Sequence, residues 1–251
     1  VSNELLRVAA IEAAHAAGEV LRGPLIHDAG VQHSQGRDIK TQADLDAERV
    51  VLDRLAATGL PVLSEESGVR GDFDLSKPCW IVDPLDGTMN YVRGIPMACV
   101  SVALFDAQRP CFGVIHDVNS EATWCGGLDT PATCNDRPIH VGGAKRRSQA
   151  VLATGFPRSR DFSADAMGRS LERLAAYKKV RMIGSAAMSL AWTAAGHMDL
   201  YLEEDIFLWD VAAGLAIVEA AGGAVHWTPW DDQWRSTVLA GSPALVEAES
   251  R

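Results

Sequence analysis

Three absences narrow the reading before any motif is considered. The five cysteines, Cys79, Cys99, Cys111, Cys125 and Cys134, include no C-x-x-C pair. Odd in number and widely spaced, they suggest neither a disulfide framework nor a zinc knuckle. Most sit in apolar, strand-like runs where a free thiol packs as a small hydrophobe, and a reducing compartment is expected. No apolar run approaches the ~20 residues of a membrane span. Val1-Ser2-Asn3-Glu4 carries no basic stretch of the kind that opens a secretory signal, so the expectation is a cytoplasmic protein with no membrane partner. Positive charge is also scarce: 23 Lys and Arg face 33 Asp and Glu, a formal net charge of −10. Such a surface repels nucleic acid and anionic lipid. The basic triplet Lys145-Arg146-Arg147 reads as a solvated loop. An acid excess does admit divalent cations, which take carboxylate oxygens.

What is present is an ordinary globular chain of 251 residues, 47% hydrophobic and 22% charged, able to bury a core without covalent staples. Residues 3–22 are Ala-rich and helical in pattern, stopped by Gly23-Pro24, and residues 32–40 read as a polar loop. Ala47, Val51 and Leu55 give a second helix its apolar face. Short strands are expected at 61–63, 79–82, 97–105, 111–116 and 121–125. Strands and helices then alternate: strands at 150–154, 179–183, 198–202, 224–227 and 237–240, helices at 164–177, 186–195 and 210–221. Runs of strands followed by alternation argue for a layered α/β protein. Gly142-Gly143 and the basic triplet break the pattern, dividing residues 1–145 from 146–251 within one compact unit.

The acidic positions carry the most chemistry. Trp80-Ile81-Val82-Asp83-Pro84-Leu85-Asp86-Gly87-Thr88-Met89-Asn90-Tyr91 runs an apolar strand into two aspartates. Pro84 fixes φ and lacks an N–H, so a turn is expected directly after Asp83. Such a turn can gather both carboxylates and the Leu85 carbonyl around one point. Gly87 permits close backbone approach, and a helix beginning at Thr88 offers free N–H groups suited to phosphate. An Asp-rich turn with a cap is the plainer alternative. Glu65 and Glu66 end another apolar run, a pairing mildly unfavourable unless solvated or neutralised by a cation. Asp210 opens an apolar helix, where an N-cap is the commoner role. Thr41 and Asp44 start the second helix, again most simply as a cap. Each site has its own structural explanation; their joint occurrence against apolar strands and helix starts points to a cation site. The histidines, at 15, 27, 33, 116, 140, 197 and 226, lack metal-ligand spacing and read as packing or surface residues.

Taken in order, DIKTQAD (38–44), LSEESG (63–68), WIVDPLDGTMNY (80–91), TGFP (154–157), GSAA (184–187) and WDVAAGLAIVEAAGG (209–223) resemble the inositol monophosphatase family of magnesium-dependent, lithium-sensitive phosphatases. The resemblance covers most of the chain from about residue 38 to 226. It implies a layered αβαβα sandwich, a homodimer, and a small phosphorylated metabolite as substrate. It also implies that Glu65, Asp83, the Leu85 carbonyl, Asp86 and Asp210 ligate Mg2+, as two or three ions. The Gly87 and Thr88 amides would hold the phosphate. Thr88 and Asp44 would orient the attacking water, with Glu65 completing the catalytic set, and Glu66 would neighbour the ligands or a third ion. Gly184, Ala186 and Glu203 match positions that touch the hydroxyl-bearing ring of the substrate. Three features depart from the family pattern: Ser64 in place of Gly, the run from Gly126 to Arg137 in place of a Gly-rich hairpin, and the acidic Glu203-Glu204-Asp205.

The expected chemistry follows from charge. A phosphate monoester dianion repels hydroxide and hydrolyses extremely slowly. Paired divalent ions both generate the nucleophile and stabilise the leaving oxygen, and no covalent intermediate is required. A small polyol phosphate is the expected substrate, and the acidic triplet favours a polyhydroxylated or cationic leaving group over a second phosphate. Histidinol phosphate, a sugar phosphate or fructose 1,6-bisphosphate are alternatives. A 3′-phosphonucleotide ranks lowest, because Met89-Asn90-Tyr91 stands where that branch reads K-E-F. A non-catalytic binding homologue would be marked by loss of Asp44 or Thr88, and both are present. An acidic scaffold without metal does not explain why each acidic cluster abuts an apolar element.

Overall fold

The computed structural model describes residues 3–23, 31–35, 38–156 and 163–250. The expectations placed on Pro24, His27 and Pro157 lie outside the described residues. The chain begins with α1 (Asn3–Leu21), the antiparallel pair β1 (Val31–Gln35) and β2 (Asp38–Thr41), and α2 (Gln42–Ala56). Next come β3 (Val62–Ser64), β4 (Gly68–Arg70), β5 (Cys79–Asp86), α3 (Thr88–Arg93), β6 (Cys99–Asp106), β7 (Arg109–Asp117), β8 (Thr123–Gly127), β9 (Thr130–Cys134) and β10 (Arg137–Pro138). The rest is β11 (Val151–Ala153), α4 (Ala164–Ala175), β12 (Lys179–Arg181), α5 (Ala186–Ala194), β13 (Leu200–Phe207), α6 (Leu208–Ala220), β14 (Ala224–Trp227), β15 (Arg235–Gly241) and α7 (Pro243–Glu249). One sheet has eight strands in the order β10-β9-β8-β7-β6-β5-β3-β4, and a second has five in the order β12-β11-β13-β15-β14.

Side-chain alternation along the strands sets the layers. On one face of the larger sheet, Trp80, Val82, Val100 and Val114 pack against Ala10, Ala14 and Ala17 of α1 and Ala47, Val51 and Leu55 of α2. On the other face, Ile81, Ala103 and Ile115 meet α5 and α6. Helix α6 has no polar face because it is covered twice: Val211, Ala212, Leu215, Ile217 and Val218 are all buried. Tyr201, Val238 and Ala240 of the smaller sheet join that same core. The far face of the smaller sheet, Leu152, Leu200 and Leu239, is covered by Leu174 of α4 and by Leu245 and Val246 of α7. The result is the expected αβαβα sandwich.

Several local expectations differ. The polar stretch read as a loop forms β1 and β2, residues 36–37 lying outside the described residues. Strand β5 does not turn after Asp83; it continues through Pro84 to Asp86, the register against β6 shifting between Asp83 and Asp86. A bulge is one of the few places where a central strand accepts proline. The 126–137 run, which departs from the family's Gly-rich hairpin in sequence, still pairs as the end of β8, β9 and β10, with the turn remodelled. Asn135 and Asp136, with φ of 47° and 61°, supply the left-handed pair of a tight hairpin usually made by Asn-Gly. Helix α7 spans seven residues, too few to show a clear hydrophobic period in the sequence.

The close seating of α6 on β7 depends on Gly113, where a Cβ would run into the Ala213 carbonyl. Gly113→Ala is expected to destabilise the fold by about 1–3 kcal/mol, read as a lower urea midpoint at unchanged slope. An unaltered midpoint would contradict this packing.

Candidate metal centre

Strands β3 and β5 run parallel, and their carboxyl ends bring two acidic segments side by side. Glu65, directly after β3, donates its backbone N–H to the Val82 carbonyl at 3.1 Å, which places it beside Asp83. Within the bulge the Leu85 N–H donates to Asp83 Oδ1 at 3.0 Å, fixing that carboxylate. Asp210 arrives from the third position of α6. It is not the N-cap: Phe207 holds that place and makes no side-chain cap bond. Carboxylate oxygens of Glu65, Asp83 and Asp210 lie within 4.8 Å of one another.

This crowding is costly without a cation. Asp83 is 1% exposed, and burial, followed by the charges of Glu65, Asp86 and Asp210, pushes its carboxyl well above the usual range. A cluster of hard oxygen donors, one of them fully buried, fits a divalent ion of the Mg2+ or Mn2+ kind. Asp86 stands outside the three-carboxylate cluster. Its Oδ2 accepts the Ser185 hydroxyl and the Ala187 N–H, each at 2.7 Å. Burial raises its pKa to about 6 against the opposing effect of those bonds. Glu66 is half-buried in the turn after Glu65 and is not among the clustered three.

Asp44 makes the cap expected of it and more. Thr41 and Asp44 form a reciprocal capping box on α2, Asp44 Oδ2 accepting the Thr41 N–H at 2.7 Å and its hydroxyl at 2.6 Å. Its other oxygen lies 3.0 Å from the Thr88 hydroxyl, which is also 3.1 Å from the Leu85 carbonyl. Burial raises the Asp44 pKa, and the bonds from Thr41 and Thr88 partly offset it. Gly87 has φ of 91°, and a Cβ there would lie 2.6 Å from the Met97 carbonyl, so conformation and space both demand glycine.

Beside these groups is a cleft of about 240 Å³ whose walls include Asp86, Asp210, Gly184, Ala186 and Glu203. Tyr201 donates to Glu203 at 3.0 Å, and burial pushes the Glu203 carboxyl up to about 7. The acidic triplet is less acidic toward the cleft than its sequence suggests: Glu204 pairs with Arg173 and Asp205 with Arg235, each at 3.1 Å. Three further residues, none carrying a role in the motifs, support these groups. Buried Glu48 accepts the Ser64 hydroxyl at 2.5 Å and the Ser67 N–H at 3.0 Å, holding the Glu65-Glu66 turn. This gives Ser64, the departure from glycine, a bonding role. Asn90 donates to the Met97 and Ile183 carbonyls at 2.8 Å, tying α3 to the Gly184 loop. Ser185 holds Asp86. Asn90 and Ser185 stood inside quoted motifs, but their long-range bonds leave no local pattern.

Comparison with known proteins agrees with this geometry. The model of the inositol monophosphatase family matches residues 2–249. Inositol monophosphatase 1 of Solanum lycopersicum is 34% identical over 249 residues, 95% of this chain and 91% of that one. A Nus factor SuhB of Xylella fastidiosa is 36% identical over 221 residues, 86% of this chain and 79% of the relative. The solved inositol monophosphatase of Anabaena superposes with a TM-score of 0.84 at 35% identity, covering 99% of this chain and 94% of that one. Motif order, layer arrangement and these likenesses agree: the chain belongs to the inositol monophosphatase family.

Proposed function

We propose that this phosphomonoesterase hydrolyses the phosphate ester of a small polyol, of the inositol monophosphate kind, in a reaction that requires Mg2+. The observation carrying the proposal is the convergence of Glu65, Asp83 and Asp210 within 4.8 Å beside a cleft wide enough for a sugar-sized alcohol. Asp86 and the Leu85 carbonyl complete the ligand set for two or three ions, with Glu66 alongside. Mg2+ at this cluster supplies neutralisation of the phosphate dianion and a lowered pKa for a coordinated water.

The chain's own groups do the rest. The Gly87 and Thr88 N–H groups, ahead of the first turn's internal bonds, bind phosphate oxygens. Thr88 has one hydroxyl hydrogen and two acceptors in reach. The charged acceptor is the stronger, so the hydrogen goes to Asp44 Oδ1. The Thr88 oxygen then keeps a lone pair for the attacking water, whose proton passes through that hydroxyl to Asp44. Burial of Asp44 makes it the better base. Gly184, Ala186 and Glu203 receive the leaving group. A carboxyl titrating near 7 both donates to and accepts from hydroxyls. That suits a neutral polyol better than the cationic amine of histidinol or a second phosphate. Family membership supports lithium inhibition, a homodimer and a cytoplasmic setting as parts of the same proposal. No described helix is long and apolar enough to cross a membrane.

Phosphate release from inositol 1-phosphate is expected with Mg2+, to cease with EDTA, and to return when Mg2+ is restored. Asp83→Asn should cost about 100-fold or more in turnover. Release indifferent to EDTA would contradict the proposal. Thr88→Ala is expected to lower kcat by roughly 10²–10⁴ with KM little changed, and Thr88→Ser to retain most activity. An unimpaired Thr88→Ala enzyme would remove the hydroxyl from the proton path. Glu203 sets a pH dependence in the metal-free protein. The folded chain holds its proton to about pH 7, whereas the ordinary carboxyl releases it near 4.5. The stabilisation is therefore complete below 4.5 and lost as pH rises through 7. Glu203→Gln should show a smaller fall in urea midpoint between about pH 5 and about pH 8 than the unmodified chain; equal falls would refute the assignment.

A further inference from the structure

The two shortest hydrogen bonds to Asp86 converge on one oxygen, and the Ala186 N–H also acts on the carboxylate. Both the Ser185 hydroxyl and the Ala187 N–H fall on Oδ2, and the Cys99 thiol lies 3.9 Å from the same atom. Ser185 is 5% exposed and also caps α5, its oxygen accepting the Met188 N–H at 3.2 Å. A hydroxyl has one hydrogen, and that of Ser185 is committed to Asp86. The loop ahead of Ser185 is clamped in turn by Asn90, through the Ile183 carbonyl. Neither end of the Ser185–Asp86 bond is free to drift.

We infer that Ser185 is a positioning residue that makes Asp86 offer a single oxygen, Oδ1, to a cation, and so favours a small octahedral ion over a larger one. The inference rests on the cation-dependent reading above. Mg2+ takes six ligands in near-ideal geometry. Ca2+ takes six to eight at longer distances and often engages both oxygens of a carboxylate. With Oδ2 saturated by two donors, two-oxygen binding at Asp86 requires breaking one of those bonds. Asp83 is held in a similar way, its Oδ1 accepting the Leu85 N–H from the backbone. At Asp86 the grip includes a side chain that can be exchanged.

The test is calorimetric titration of the metal-free full chain, without substrate, using MgCl2 and separately CaCl2. Unmodified protein, Ser185→Ala and Ser185→Thr are compared, with the thermal midpoint of each metal-free protein. The ratio of the Ca2+ to the Mg2+ dissociation constant should fall about tenfold in Ser185→Ala, the scale of one charge-assisted hydrogen bond. Ser185→Thr, which keeps the hydroxyl, should restore it. A lower thermal midpoint in Ser185→Ala with an unchanged ratio would overturn the inference, leaving the hydroxyl a helix cap only. A ratio not restored by Ser185→Thr would overturn it equally. If the unmodified protein binds neither ion, the cation-dependent reading fails and takes this inference with it. Binding by the unmodified protein with no effect of Ser185→Ala defeats the inference alone.

Discussion

The repulsion among carboxylates around buried Asp83 is the constraint on which the site depends. Folding sets Asp83 out of water within reach of Glu65, Asp86 and Asp210, an arrangement that raises its pKa and opposes the ionised form. Hydrophobic packing enforces it: the same burial of α6 and β5 that builds the central core carries the carboxylates together. A divalent cation converts that repulsion into attraction. The proposed cation requirement and the fold are thus two aspects of one electrostatic arrangement.

The layers explain how distant segments meet. Glu65 and the Asp83–Asp86 bulge come from neighbouring parallel strands at their carboxyl ends, a common place for ligand sites in α/β proteins. Asp44 comes from α2 on the outer face, Asp210 from α6 in the middle layer, and Ser185 from the start of α5. The Asp44–Thr88 pair and the carboxylate cluster therefore meet through the bulge, where the Leu85 carbonyl lies by the Thr88 hydroxyl and the Leu85 N–H holds Asp83.

How much of this was legible follows from the range of each interaction. Asp83, Asp86, Glu65 and Asp210 were visible because each adjoins an apolar run, and the capping box of Thr41 and Asp44 is a local pattern. The αβαβα layering came from resemblance; alternation alone indicated only a layered α/β chain. The bulge at Pro84 was misread because proline fixes φ without saying whether the partner strand shifts register to accommodate it. Residues 32–40 lack the apolar alternation of a strand and read as loop. The bonds from Glu48 to Ser64, from Asn90 to Ile183 and from Ser185 to Asp86 link positions 16, 93 and 99 residues apart. Glu203-Glu204-Asp205 looked uniformly acidic because Arg173 and Arg235, which neutralise two of the three, are remote in sequence.

Anomalous diffraction from a crystal soaked in Mn2+, a stand-in for Mg2+ with a measurable signal, tests whether the clustered carboxylates hold a divalent ion. Strong peaks are expected among Glu65, Asp83 and Asp210, with at least one reaching Oδ1 of Asp86. Full occupancy of Mn2+ elsewhere on the molecule, with none among these carboxylates, would contradict that expectation.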